Sequence, residues 1–113
     1  MGYIRHHAIV VTSFDEELLE KARNKAVRLF NRPIGAIVKG TTNGYATFVI
    51  PPDGSKEGWN TSELNNKKRE RYIEWLKYEV DDIGLDWVEV QYGDDGNETE
   101  IVNDSDEHLR DKT

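Results

Sequence analysis

Residues 9–16 read IVVTSFDE, an apolar run that is followed at once by the start of a helix. The three apolar residues are consecutive and β-branched, which is typical of a central strand buried on both faces. The hydroxyl of Ser13 can accept a hydrogen bond from the amide of Glu16, whose side chain can reach back, as in a capping box. This stretch therefore predicts a first strand over residues 3–12 and a helix that begins after Ser13.

Two helices are predicted. In the first, apolar residues recur at helical spacing up to Phe30, and Pro33 ends the helix because the residue before a proline avoids the α conformation. The second begins at a cap formed by Asn60 with Glu63, runs to about Ile83 and has Gly84 after its last residue. Its first half is almost wholly polar and is expected to project into solvent. The predicted apolar face of the second helix consists of Tyr72, Ile73, Leu76, Val80 and Ile83.

Short apolar segments surround these helices and predict the remaining strands, over residues 34–39, 45–50, 87–92 and 98–102. The dipeptide Asn43-Gly44 is a strong signal for a hairpin turn between the first two of them. The order β-α-β-β-α-β predicts an α+β, ferredoxin-like sandwich with both helices on one sheet face and an extra C-terminal hairpin strand. Residues 1–102 are interpreted as a single α+β domain and residues 103–113 as an acidic flexible tail.

Alternation along the strand 87–92 divides its side chains between the two faces of the sheet. Val88, Val90 and Tyr92 share one face, and Trp87 lies on the other, which is interpreted as the open face. A large exposed aromatic residue on a sheet is typical of an interface. The open face is therefore expected to bind a ligand or a second copy of the chain, as a homodimer or higher oligomer.

Composition narrows the classes of function. The chain has 113 residues, no cysteine and a net charge of −7, and residues 93–113 carry eight acidic but only two basic residues. Disulfides, thiol catalysis and zinc–thiolate sites are excluded, and direct nucleic-acid binding is disfavoured by the acidic charge. No segment approaches the roughly 18 apolar residues of a membrane span, and no signal peptide is recognised. A cytoplasmic location is expected.

Three stretches of the chain, MGYIRHHAIVVTS (1–13), PDGSKEGW (52–59) and DWVEVQYGD (86–94), resemble a family of small uncharacterised bacteriophage and prophage proteins. The similarity extends over most of the chain except the acidic tail. The resemblance implies a phage accessory protein that acts on a host or its defences in the host cytoplasm. It implies no catalytic residue.

No recognisable catalytic, metal-binding or cofactor motif occurs in the sequence. His6 and His7 are adjacent on a strand and point to opposite faces, so that they are poorly placed to share one metal ion. The acidic turn over residues 94–100 lacks the spacing of an EF-hand, and Gly-Ser-Lys at 54–56 lacks the glycine spacing of a phosphate-binding loop. No metal and no cofactor are predicted.

Five residues are predicted to bind a ligand. Arg5 and His7 share a strand face and can hold a phosphate, and the loop that leads into the second helix adds the cation of Lys56 and the indole of Trp59. Trp87 adds a ring on the predicted open face. These residue types match a small anionic ligand, with cations for its phosphate and rings for stacking.

The leading hypothesis is a non-enzymatic, phage-type accessory protein that sequesters a small anionic, nucleotide-like ligand, such as a signal of a host defence system. The first alternative is a protein–protein inhibitor whose acidic surface blocks a host nucleic-acid-binding enzyme. The second alternative is a small enzyme that acts on nucleotides.

Overall fold

The computed structural model describes residues 5–54, 59–79, 84–93 and 99–106. The helices are α1 (Glu16–Phe30) and α2 (Asn60–Glu74), and α2 continues as a π-helical turn over Trp75–Glu79. The strands are β1 (His6–Ser13), β2 (Val38–Lys39), β3 (Ala46–Ile50), β4 (Asp86–Tyr92) and β5 (Glu100–Asp104). None of the helices in these ranges is long and apolar enough to cross a membrane.

The strands form one antiparallel sheet in the order β2-β3-β1-β4-β5, with β1 at its centre. The predicted mixed α+β class, with two helices and a five-stranded sheet in the described part of the chain, is confirmed. β5 ends at Asp104 and therefore extends beyond the predicted domain boundary at residue 102.

The start of α1 differs from the predicted capping box. The N-cap is Asp15, whose Oδ1 accepts a hydrogen bond from the amide of Leu18 at 3.2 Å. Ser13 lies two residues before this cap: its hydroxyl accepts from the amide of Asp15 at 3.0 Å and donates to the carbonyl of Gly84 at 2.7 Å. The prediction that Ser13 caps the helix is wrong, because this hydroxyl instead ties the end of β1 to the segment before β4.

The start of α2 also differs from the prediction. Trp59 occupies the N-cap position and Asn60 is already helical, so that no side chain caps this terminus. In contrast, the hairpin turn between β2 and β3 is confirmed. The amide of Gly40 donates to the carbonyl of Tyr45 at 2.7 Å, so that the loop comprises residues 41–44, and within it Asn43 and Gly44 both have positive φ, 61° and 71°.

The hydrophobic core lies between the two helices and one face of the sheet. Leu19, Ala22 and Phe30 of α1 belong to the same buried cluster as Tyr72 of α2 and Phe48 of β3. The buried hydroxyl of Tyr72 needs a hydrogen-bond partner within the protein, and it donates to the Ala22 carbonyl at 2.7 Å. Burial also raises the pKa of Tyr72. This hydrogen bond and the shared cluster join the two helices over the sheet.

The face of β4 that the helices cover is not the predicted one. Trp87 is only 6% exposed and belongs to the core cluster, and it pairs across the sheet with the fully buried Val11. The prediction that Trp87 lies on the open face is wrong. The physical reason is twofold: an indole buries more apolar area than a valine, and Glu89 on the same face finds charged partners under α2.

Candidate functional site

A buried carboxylate lies at the edge of the core. Glu89 is 3% exposed, although glutamate is rarely buried unless it is paired. It projects from β4 on the helix-covered face, opposite Ile9 of β1. A charge in this position is stable only if its oxygens are hydrogen-bonded and its charge is balanced.

Three side chains from three other elements satisfy Glu89. Arg69 of α2 places its Nε 2.8 Å from Oε2. His7 of β1 places its Nδ1 3.2 Å from the same oxygen. Asn103 of β5 donates from Nδ2 to Oε1 at 2.7 Å. We call Glu89, Arg69, His7 and Asn103 the Glu89 cluster.

Local structure explains why these side chains meet. His7 and Ile9 lie on the same face of β1, and Ile9 pairs with Glu89, so that alternation brings His7 beside the carboxylate. A register shift in the β4–β5 ladder pairs Glu89 with Asn103, with Val102 as the extra residue of the bulge. Bulges of this kind re-aim side chains, often next to functional sites.

Neighbouring contacts hold the cluster in place. Arg69 donates from Nη2 to the Oδ1 of Asn66, one turn earlier on α2, at 2.7 Å. Lys77, in the π-helical turn, donates to the Oδ1 of Asn103 at 3.2 Å. Arg69 and Asn103 therefore each contact Glu89 and one further side chain. These contacts restrict their side-chain conformations before any ligand binds.

The electrostatic balance at Glu89 favours the ionised form. Burial by itself would raise the pKa of this carboxyl group. The hydrogen bonds from His7 and Asn103, together with the charges of Arg69 and His7, outweigh burial and lower the pKa of Glu89 below its ordinary value. Glu89 is thus an anion that fixes the side chains of Arg69 and His7.

We expect this pKa to appear in the pH dependence of stability. A carboxyl group whose pKa is lowered on folding stabilises the native state above its unfolded-state pKa, and this stabilisation is lost as the pH falls toward the folded-state value. The difference in free energy of unfolding between the wild type and Glu89→Gln should be constant near neutral pH and shrink in the acid range below about pH 4.5. Urea unfolding at a series of pH values measures it, and a difference that grows on acidification would contradict the assignment.

The Glu89 cluster forms part of the wall of a cleft of about 310 Å³ between α2, β4 and β5. Ile73 and Val102 contribute apolar surface to this cleft. The exposed carboxylates of Glu70 and Glu74, on the outer turns of α2, also line it. The cleft therefore combines a fixed guanidinium group and a fixed imidazole, two solvated acids and a small apolar surface.

Chemically, the arrangement orients an imidazole. If the Nδ1–H of neutral His7 donates to Glu89, its Nε2 is left as a hydrogen-bond acceptor. An imidazole held in this way can accept a proton or a hydrogen bond from a ligand, and when protonated it can bind an anion. The neighbouring guanidinium of Arg69 adds a permanent positive charge.

A second arginine lies close to the cluster. Arg32 donates from Nη1 to the carbonyl of Pro51 at 2.7 Å, and its guanidinium lies 5.3 Å from the centre of the Phe30 ring. Its buried Nε has no hydrogen-bond partner among the described residues. Burial lowers the pKa of Arg32, Asp53 opposes this effect, and the charge of Arg69 adds to it. The two guanidinium groups are thus near enough to repel each other.

The five residues predicted to bind a ligand do not come together in one site among the described residues. Arg5 precedes β1 and does not line the cleft, whereas His7 lies on the helix-covered face of β1 and belongs to the Glu89 cluster. Lys56 lies outside the described residues. Trp59 is 52% exposed at the start of α2, and it does not line the cleft. Trp87 is buried in the core and leaves no ring surface for a ligand.

The sequence interpretation missed Arg69, Glu89 and Asn103. Arg69 lies in the polar half of the second helix that is expected to project into solvent, but only 18% of its side chain is exposed. Asn103 was placed in the acidic tail, but it lies in β5. The available signal was the alternation of β4, which puts Glu89 on the same face as the large apolar Trp87.

Within the described residues no group of three or more histidine, cysteine, aspartate or glutamate side chains is placed to hold a metal ion. Comparison of the chain with protein-family models, with curated proteins and with solved structures found no match. The function is therefore inferred from the geometry of the cleft.

Proposed function

We propose that this protein is a non-enzymatic binding protein that sequesters a small anionic, nucleotide-like ligand in the cleft between α2, β4 and β5. The observation that carries the proposal is the buried, fully hydrogen-bonded Glu89, which holds His7 and Arg69 at the cleft wall. A charged network at a core position generally stabilises a fold no more than well-packed apolar side chains would. Stability alone therefore does not account for these charged residues, and ligand binding does.

Pre-organisation favours ligand binding at this site. A flexible surface arginine loses side-chain entropy when it binds an anion, whereas Arg69 is already held by Glu89 and Asn66. The guanidinium has five N–H donors, and these two contacts engage its Nε and one Nη2 hydrogen bond. The contacts with described residues leave three of the five donors for a phosphate oxygen.

The remaining lining residues define the class of ligand more closely. Glu70 and Glu74 accept hydrogen bonds, so that a matching ligand carries hydroxyl or amino donors as well as an anionic group. A cleft of about 310 Å³ lies at the small end of ordinary ligand sites. A mononucleotide, with a phosphate, a hydroxylated sugar and an amino-bearing base, fits this combination.

The finer fold assignment and the biological setting belong to the same proposal. The position of β1 between β3 and β4 in the antiparallel sheet supports a ferredoxin-like arrangement. The resemblance of residues 1–13, 52–59 and 86–94 to phage proteins supports a role as a phage accessory protein in the host cytoplasm. Sequestration of a nucleotide signal would then act against a host defence.

Isothermal titration calorimetry with a panel of linear and cyclic mononucleotides tests this function. We expect a saturable heat with at least one of them, and Arg69→Met should weaken that affinity by about 10- to 100-fold, since a charge-assisted hydrogen bond contributes about 1.5–3 kcal/mol. Arg71→Met is the matched control, because Arg71 lies on the same helix with an exposed side chain.

Thermal unfolding of each variant must show that it is folded at the temperature of the titration. Should Arg69→Met be unfolded, His7→Gln provides a second test at the same cleft. Absence of heat for every nucleotide at high protein concentration, or equal weakening by Arg69→Met and Arg71→Met, would contradict the proposal.

A second candidate function is a small enzyme that acts on nucleotides. It is favoured by the contact between His7 Nδ1 and Glu89, which orients the imidazole as in a general base. Chromatography of the bound nucleotide after prolonged incubation separates the two functions. Recovery of the unchanged nucleotide supports sequestration, and a product whose formation requires His7 supports catalysis.

A further inference from the structure

Two exposed carboxylates lie on the helix side of the cleft whose wall includes the Glu89 cluster. Glu70 and Glu74 are four residues apart on α2, about one helical turn, and both line the cleft. Neither forms a hydrogen bond or an ion pair with a described residue. Like charges at this spacing repel each other, so that the pair does not stabilise the helix. Two acceptor groups without donors therefore face the space in which a ligand would lie.

The charges of the cleft favour one orientation of a bound nucleotide. Its phosphate is attracted to the guanidinium of Arg69 and repelled by the carboxylates of Glu70 and Glu74. Glu70 directly follows Arg69, whereas Glu74 lies five residues beyond Arg69, about 7.5 Å along the helix axis. In a mononucleotide the sugar separates the phosphate from the base. With the phosphate at Arg69, the base is therefore the part of the ligand that reaches Glu74.

We propose, as an extension that rests on the proposed nucleotide-binding function, that the cleft selects guanine nucleotides and that Glu74 recognises the base. An ionised carboxylate has two acceptor oxygens and no donor. The Watson–Crick edge of guanine carries two adjacent donors, N1–H and the 2-amino group. These donors match the two oxygens in the same way as the paired N–H groups of an arginine do. Among the four common bases, guanine alone has two adjacent donors on this edge.

The other bases place an acceptor where guanine has a donor. Adenine has N1 beside its 6-amino group, cytosine has N3 beside its 4-amino group, and the N–H of uracil lies between two carbonyl groups. Each would direct a lone pair at an oxygen of Glu74, and an acceptor that faces another acceptor loses affinity. Bidentate recognition of a base discriminates by about 5- to 150-fold. Because Glu74 is exposed, we expect a value near the lower end, about 10-fold.

Calorimetric titrations of the full chain with GMP, IMP, AMP, CMP and UMP test this selectivity without any substitution. The wild type should bind GMP about 10-fold more tightly than AMP, CMP or UMP. IMP differs from GMP only by the missing 2-amino group, and it should bind at least about 5-fold more weakly than GMP because one hydrogen bond to the carboxylate is lost.

Glu74→Gln should change the selectivity and not only the affinity. The amide of glutamine has an acceptor oxygen and a donor nitrogen, which match the 6-amino group and N1 of adenine but direct a donor at a donor of guanine. The ratio of AMP affinity to GMP affinity should therefore rise by at least about 10-fold. Glu63→Gln is the matched control, because Glu63 is exposed on the same helix and does not line the cleft. It removes the same charge and should leave this ratio unchanged.

Circular dichroism melting checks that both variants are folded, and the titrations of the wild type decide the base preference even if Glu74→Gln is unfolded. Equal affinities of the wild type for all five nucleotides, or a preference for another base, would overturn this inference and leave the proposed function in place. A preference for GMP that Glu74→Gln and Glu63→Gln change equally would overturn the role of Glu74. Absence of heat with every nucleotide would instead contradict the proposed function and this inference with it.

Discussion

Replacement of Trp87 with alanine is expected to lower the free energy of unfolding by about 3–5 kcal/mol, the range for a large aromatic residue removed from a core. Trp87 is 6% exposed and packs in the cluster under the helices. The loss would consume much of the stability of an ordinary small domain, which is about 5–15 kcal/mol. Urea unfolding followed by circular dichroism measures it through the midpoint and slope of the transition.

The matched control for Trp87→Ala is Trp59→Ala. Trp59 is 52% exposed at the start of α2, so that the same chemical change should lower stability by less than about 1 kcal/mol, as expected for a surface substitution. If Trp87→Ala were as mild as Trp59→Ala, the indole of Trp87 would lie on the exposed side of the sheet and the face assignment of β4 would be wrong.

Replacement of Glu89 with alanine is expected to have a comparable effect, a loss of about 3–5 kcal/mol in the free energy of unfolding. The cause is the charge that remains: the mostly buried guanidinium of Arg69 loses the carboxylate 2.8 Å from its Nε, and an uncompensated buried charge is strongly destabilising. Glu70→Ala, at an exposed position of the same cleft, should change stability by less than about 0.5 kcal/mol.

A double-mutant cycle separates this charge effect from loss of packing. Arg69→Met removes the guanidinium, so that Glu89→Ala combined with Arg69→Met leaves neither charge unpaired. The double variant should be more stable than the sum of the two single losses predicts, by at least about 1 kcal/mol. Strict additivity of the two single effects would show that the ion pair contributes nothing specific.

The sequence predicted the order of elements well because local signals determine it. The β-branched run at residues 9–11 lies in β1, and Asn43-Gly44 adopts the two positive φ values of a hairpin turn. Both helix starts were predicted within two residues. The cap at Ser13 was wrong, because Ser13 and Asp15 both carry side chains that can accept an amide hydrogen bond. Only the tertiary contact between Ser13 and Gly84 decides between them.

The face assignment of β4 could not be derived from the strand alone. Alternation shows that Trp87 and Glu89 share a face, but it does not show which face the helices cover. Three alternating apolar residues, Val88, Val90 and Tyr92, favour the opposite face as the core side. The deciding facts are partners distant in sequence: His7 is 82 residues from Glu89, and their contact exists only in the folded sheet.

The candidate site was predicted only in part, because it also depends on contacts between residues that are distant in sequence. Period-two alternation predicts Arg5 and His7 on one face of the first strand, but the observed β1 begins at His6, so that of these two residues only His7 is placed in it. The polar first half of the second helix gives no sign that Arg69 turns toward the sheet, because the surrounding residues are also polar and charged. The position of Asn103 beside Glu89 depends on the β4–β5 register shift, which no pattern in the sequence indicates.

The binding of a nucleotide at the Glu89 cluster is tested most directly by nuclear magnetic resonance of ¹⁵N-labelled protein, with the side-chain signals of Arg69 Nε, His7 and the Trp59 indole followed during a mononucleotide titration. We expect the Arg69 and His7 signals to move together and saturate with one dissociation constant, while the Trp59 indole signal stays in place. Unchanged Arg69 and His7 signals at saturating nucleotide, or a largest shift at Trp59, would contradict the proposed site.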